Sequence, residues 1–205
     1  MTKLLVYYAH PGHKYSHANR EMLAAAKKVD RIAFVDLYSE YPRFDINIER
    51  EQQRLLAHDV ILFQFPMFWY STPSLVKEWQ DLVLEHGFAY GAGGDKLAGK
   101  RMLLAVTAAG SQDAYRQQGY QHYPIRTFLT PLEQTARLCH MEFSAPYVLY
   151  GSLRAHESGK LQQHVAGYQK LLEAIRDDRY DFEKAAHGEV VSCDDLPLLE
   201  VSGHG

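Results

Sequence analysis

The sequence predicts a three-layer, doubly wound α/β domain: a five-stranded parallel sheet of order 2-1-3-4-5 with helices on both faces. Two observations predict it. Short unbroken apolar runs rich in β-branched and aromatic residues recur at 3–9, 31–37, 59–65, 101–107 and 142–150, the pattern of strands buried on both faces. Between them lie helical patterns at 17–28, 49–57, 73–85, 125–139 and 156–177, so strand and helix alternate along the chain. Alternation of this kind calls for parallel strands joined by right-handed crossovers. The 205 residues suit one large core.

Each element has its own signature. "KLLVYYA" is the first strand, and Ser16 stands before helix 17–28 as its N-cap. "RIAFVDL" and "DVILFQF" are the second and third strands. Pro66 stops the third, and Pro73 suits the first turn of helix 73–85. The glycine-rich stretch 86–100, "HGFAYGAGGDKLAGK", reads as an ordered loop before the fourth strand, "RMLLAVT". "EFSAPYVLY" is the fifth strand, and helix 156–177 follows. Residues 1–182 are expected to form one domain, and 183–205 an extension outside the core. An alternative is that "DLPLLEV" in that extension docks on a neighbouring subunit.

Composition narrows the function. Hydrophobic residues make up 46% and charged residues 23%, as in ordinary globular domains. A net charge of -3 gives no reason to expect nucleic-acid binding. Cys139 and Cys193 form neither a C-x-x-C pair nor a metal spacing, which fits a reducing cytosol. The N-terminal apolar run is too short for a signal peptide, and no run approaches the roughly 18 apolar residues of a membrane span. Direct membrane insertion is not expected; a membrane connection would come through a protein partner.

In open α/β sheets ligands bind beyond the carboxyl ends of the strands. The first such stretch, "AHPGHKYSHANREM" at 9–22, brings a helix start with Ser16 and Asn19 as side-chain donors. Loop amides and a helix N-terminus favour a phosphate; the alternative is a capped helix with no ligand. Neither G-x-G-x-x-G nor G-x-x-x-x-G-K-[ST] is present. His10, His13 and His17 invite a metal reading, but no carboxylate stands at standard spacing, and no metal is expected. The second stretch, "PMFWYSTP", crowds Met67, Phe68, Trp69 and Tyr70 into a turn where Gly, Asn, Asp and Ser are usual. A planar ring would lie well on these aromatics; the alternatives are a plug for the sheet's end or a subunit contact. The third, "VTAAGSQDAY", brackets small residues between Thr107 and Gly110, whose amides could meet negative charge on a ring. A phosphate cradle, an aromatic platform and an amide-bearing loop together describe a site for flavin mononucleotide.

With "YAHP…SHAN", "PMFWYSTPSLVKEW", "HGFAYG" and "LAGK" followed by "VTAAG" in that order, the sequence resembles the flavodoxin-like NAD(P)H:quinone oxidoreductases over roughly residues 3–175. The match is nearest to the branch that serves as ancillary, regulatory subunits of glutathione-gated potassium efflux systems. The resemblance implies a flavodoxin-like fold and a flavoprotein oxidoreductase that passes two electrons from NADH or NADPH to a quinone by ping-pong hydride transfer through FMN, with FAD left open. It implies that His10, Ser16, His17, Ala18 and Asn19 bind the phosphate and ribityl chain. It implies that Pro66, Met67, Phe68, Trp69 and Tyr70 wall the ring, and that Thr107, Ala108, Ala109 and Gly110 meet its pyrimidine edge. His122 and Tyr115 fall at or beside the positions that assist hydride transfer. A homodimer is implied, cytoplasmic and peripheral at the inner membrane through a potassium:proton antiporter. The alternative is a regulatory binding subunit of that antiporter without catalysis. "TAAG" departs from the two threonines and two glycines frequent in the family, which bears on the pyrimidine contact. An electron-transfer flavodoxin would be more acidic and would lack the aromatic turn.

Overall fold

A computed structural model describes residues 1–199 apart from His13 and Tyr15. The strands are β1 (Leu4–Tyr8), β2 (Ala33–Asp36), β3 (Val60–Pro66), β4 (Arg101–Thr107), β5 (Glu142–Phe143) and β6 (Tyr147–Leu149). All pair in parallel, in the expected order β2-β1-β3-β4-β5, with β6 also on β4. The expected fifth strand is thus split in two. β5 lies beside Arg101 and Met102, and β6 beside Ala105–Thr107. The break falls at 144–146, where Pro146 has no N–H for a ladder.

The main helices are α1 (His17–Ala26), α2 (Leu37–Glu40), α3 (Ile48–Ala57), α4 (Ser74–Val83), α5 (Ile125–Phe128), α6 (Thr130–Leu138), α7 (Lys160–Arg176) and α8 (Phe182–Ala186). The pattern at 125–139 yields two helices because Pro131, in the first turn of α6, cannot donate back to residue 127. α7 starts at Lys160 rather than 156, after Gly159 in the left-handed region at φ 72°. The short α2 was not foreseen; Asp36 at the end of β2 caps it.

Alternation along the strands feeds two cores. Leu5 and Tyr7 face the layer of α3, α4 and α6, while Leu4 and Val6 face α1 and α7. In the first core a carboxylate is fully enclosed. Glu51, 0% exposed, accepts from Tyr7 Oη at 2.5 Å, Tyr41 Oη at 2.5 Å, Trp79 Nε1 at 3.1 Å and Arg54 Nη1 at 2.5 Å. Burial, reinforced by Glu51, raises the pKa of Tyr7 and of Tyr41, so both hydroxyls remain donors.

The segment expected as an extension outside the core is packed as far as it is described. Val191 is buried beside β6: its N–H donates to Pro146 O at 2.8 Å, and its carbonyl accepts from Val148 N at 3.1 Å. Pro197 O accepts from Asp181 N, and Leu199 N donates to Arg179 O. Gly167 of α7 makes room for this strap, since a Cβ there would lie 2.5 Å from Cys193 Cβ. Leu198 and Leu199 are exposed; Glu200 and Val201 of "DLPLLEV" lie outside the described residues. Cys139 and Cys193 are both free thiols.

Candidate functional site

The loops after β1, β3 and β4 meet at one edge of the sheet. After β1, His10 Nδ1 accepts from Gly12 N at 3.1 Å. Ser16 caps α1, its Oγ accepting from Asn19 N at 3.1 Å, and no acidic residue stands in the helix's first turn. Asn19, 2% exposed, donates from Nδ2 to Thr107 Oγ1 at 2.8 Å. That bond ties the first loop to the third. Gln64 of β3 lies beneath: its Nε2 donates to Asn19 O at 3.1 Å, while among the described residues its buried Oε1 has no partner.

After β3 the aromatic stretch closes on itself. Phe68 and Ser71 exchange both backbone hydrogen bonds at 3.0 Å, and the two residues between them, Trp69 (φ 49°) and Tyr70 (φ 65°), are both left-handed. This is the backbone of a two-residue type I′ hairpin, which ordinarily takes Asn-Gly. Holding non-glycine residues there costs roughly 1–2 kcal/mol each. Strain of this kind collects at ligand sites. Trp69 is 93% exposed, Tyr70 stacks on Phe128 at 5.0 Å, and Phe68 meets the His10 ring edge-on at 5.7 Å.

After β4, Thr107 O accepts from Met67 N at 2.9 Å, and Ala108 N donates to Leu149 O at 2.8 Å. Ser152 N donates to Ala108 O at 3.0 Å, and Gly151 N to Gly110 O at 2.8 Å. Among the described residues the amides of Ala109 and Gly110 donate to no backbone carbonyl.

Two adjoining cavities result. The first, about 440 Å³, takes its wall from His10, Ser16, His17, Ala18 and Asn19, from Pro66, Met67 and Phe68, and from Thr107 and Ala109. The second, about 410 Å³, is lined by Trp69, Tyr70, Gly110 and Tyr115 and shares Met67 and Ala109 with the first. Ala108 is buried and lines neither. Tyr115 is 9% exposed, packed by Phe128 at 6.0 Å and Tyr150 at 5.8 Å, and burial raises its pKa, so its phenol keeps its proton. His122 is exposed, left-handed at φ 63°, and lines neither cavity; its neighbours Tyr120 and Gln121 do. Sequence reasoning missed those two, along with Gly12, Ser152, Leu153 and Gln64. Only Gln64 carried a signal, as the lone amide inside an apolar strand. Among the described residues no group of three or more His, Cys, Asp or Glu is placed to hold a metal, and His13 lies outside them.

A family described as having a flavodoxin-like fold matches residues 2–172. The glutathione-regulated potassium-efflux system ancillary protein KefG of Serratia proteamaculans (strain 568) is 44% identical over 170 residues, 83% of this chain and 92% of that protein. Among solved structures, the general stress protein 14 of Treponema denticola in complex with FMN superposes with a TM-score of 0.79 at 31% identity, covering 84% of this chain and 99% of that one. An NADPH-quinone reductase from P. pentosaceus superposes with a TM-score of 0.74 at 27% identity, covering 82% and 96%.

Proposed function

The chain belongs to the family of flavodoxin-like fold, and from that premise we propose that it is an FMN-dependent NAD(P)H:quinone oxidoreductase serving as ancillary subunit of a potassium efflux system. The observation that carries the reading is the convergence of three strand-end loops on two adjoining cavities, joined by the buried Asn19–Thr107 hydrogen bond. The FMN complex and the quinone reductase among its structural likenesses support the chemistry, and the KefG likeness supports the setting.

The residues present fit the cofactor. The start of α1 offers a hydroxyl, amides and no opposing carboxylate to a phosphate, with His10, His17, Ala18 and Asn19 around it. Pro66 through Tyr70 supply an apolar, aromatic wall for a flat ring, and Thr107, Ala109 and Gly110 supply its polar edge, with Ala108 buried behind them. The chemistry such a cofactor would supply there is two-electron transfer: hydride acceptance from reduced nicotinamide and reduction of a quinone. The chain's part is to bind, orient and protonate. The undonated amides of Ala109 and Gly110 favour negative charge at the ring's edge. Tyr115, protonated in the wall of the second cavity, is positioned to donate to an acceptor's oxygen. His122 stands exposed on the loop that carries Tyr120 and Gln121 into that wall and itself lines neither cavity, so any part it takes needs that loop to turn inward. Trp69, Tyr120 and Leu153 stand exposed near the mouth, which suits a homodimer closing over it. No described helix is long and apolar enough to cross a membrane; the KefG likeness supports meeting the efflux system through a protein contact, which on this reading is made from the cytoplasmic side.

The test is direct. The purified chain is expected to be yellow, to release a compound with the mass of FMN, and to reduce a soluble quinone with NADH or NADPH. A colourless protein that takes up neither FMN nor FAD would end the proposal. A second reading, regulation without catalysis, is favoured by the KefG likeness. It gains the field if the double variant Tyr115→Phe, His122→Ala loses quinone turnover yet still activates potassium efflux in cells.

A further inference from the structure

A third cavity, of about 650 Å³, shares no lining residue with the other two. Its walls are the loop after β6, the first turn of α7 and the strap at 192–194. Three observations there point to a ligand.

The N-terminus of α7 is uncapped. Gly159 offers no side chain, no acidic residue stands in the first turn, and among the described residues the amides of Lys160 and Gln162 donate to no backbone carbonyl. A 17-residue helix ending this way favours an anion. Beside it Arg154 and Lys160 line the cavity, and among the described residues neither forms an ion pair.

Independently, His164 lies in the wall, one turn beyond Lys160 on the same helical face. It is 2% exposed and stacked on Tyr147 at 4.2 Å, yet among the described residues its Nε2 has no hydrogen-bond partner. An enclosed ring nitrogen left unpaired is unfavourable, and a ligand in the cavity would satisfy it. Burial lowers the pKa of His164 to about 3, so the ring is a neutral hydrogen-bonding group there. Glu157 and Asp194 also line the cavity and are exposed, and their charges disfavour an extended polyanion.

We propose that this cavity is a second ligand site, which takes a small molecule through a single compact anionic group, a carboxylate or a phosphate monoester. The site bears on the first one. Ser111 and Gln112 in its wall follow directly on Gly110, and Gly151, also in the wall, donates to Gly110 O at 2.8 Å. An occupant therefore touches the segment from which the amide-bearing loop hangs. The site stands whether or not the first cavity holds a flavin.

The full-length chain, titrated with inorganic phosphate and separately with acetate at constant ionic strength, tests this, with sodium chloride as control. The readout is the NMR signal of the His164 imidazole. A saturable shift with one or both anions, absent with chloride, is expected. Phosphate alone would assign a phosphate monoester, acetate alone a carboxylate, and both a site open to either. Lys160→Gln and Arg154→Gln alter exposed side chains, and each is expected to weaken the anion about tenfold while leaving flavin uptake unchanged. A His164 signal unmoved by either anion, or moved equally by chloride, overturns the proposal.

Discussion

Glu51→Ala is expected to lower the melting temperature of the chain by on the order of 10 °C. Among the described residues the carboxylate is the sole acceptor that the Tyr7 hydroxyl and the Trp79 N–H have, and it also receives Tyr41 and Arg54. Removing it strands these donors inside a core where Tyr7 also packs on Phe63 at 5.2 Å and Trp79 at 5.1 Å. Breaking a buried charged network at one member costs about 3–5 kcal/mol, and 1 kcal/mol moves Tm by roughly 2–4 °C in a domain of this size. Glu51→Gln keeps one acceptor oxygen but turns an NH₂ toward other donors, so it should fall between. Thermal unfolding followed by circular dichroism checks both; a shift below about 2 °C for the alanine variant would contradict the role given to this network. Flavin uptake should survive wherever the protein is folded, because Glu51 is on the buried side of α3 and lines neither site cavity.

The second large effect separates stability from binding. The double variant Trp69→Asn, Tyr70→Gly gives the Phe68–Ser71 hairpin the residues its backbone prefers. Relief at two left-handed positions is worth roughly 2 kcal/mol or more. Loss of the Tyr70–Phe128 stack takes back about 1 kcal/mol, and Trp69, almost wholly exposed, gives up little. The variant should therefore be more stable than its parent by about 1 kcal/mol. Its affinity for FMN should fall about tenfold or more, because the aromatic wall is gone. Denaturant unfolding and flavin fluorescence titration measure the two quantities separately. A variant that is less stable, or that binds FMN as well as the parent, would show that these aromatics serve packing rather than the ligand.

The architecture could be read from the sequence because each strand is an unbroken apolar run, which only a doubly covered parallel sheet needs. Its interruptions were harder to read. Pro146 divides the last strand, and Pro131 divides a helical pattern, yet both sit inside hydrophobic spacing that continues across them. That the three strand-end loops meet at one edge of the sheet was legible because the topology fixes where they must be. Gln64, Tyr120, Gln121, Ser152 and Leu153 were not, since nothing in their neighbourhood of the chain marks them; the fold brings them to the cavities or beneath them. Glu51 shows the same limit from another direction. On a polar helix it reads as one more surface charge, and only the packing of α3 on β1 and α4 encloses it. His122 stands in a run of polar and aromatic residues with no periodicity, so its outward placement could not be foreseen.

The strap that runs Val191 alongside β6 has a consequence for handling the protein. It shuts the last open ladder at that end of the sheet, where Pro146 and Val148 would otherwise present unused backbone groups to any passing strand. A chain trimmed after Tyr180 should fail first as turbidity, copies joining edge to edge, well before its fold or chemistry is lost. Light scattering of the shortened chain would register this.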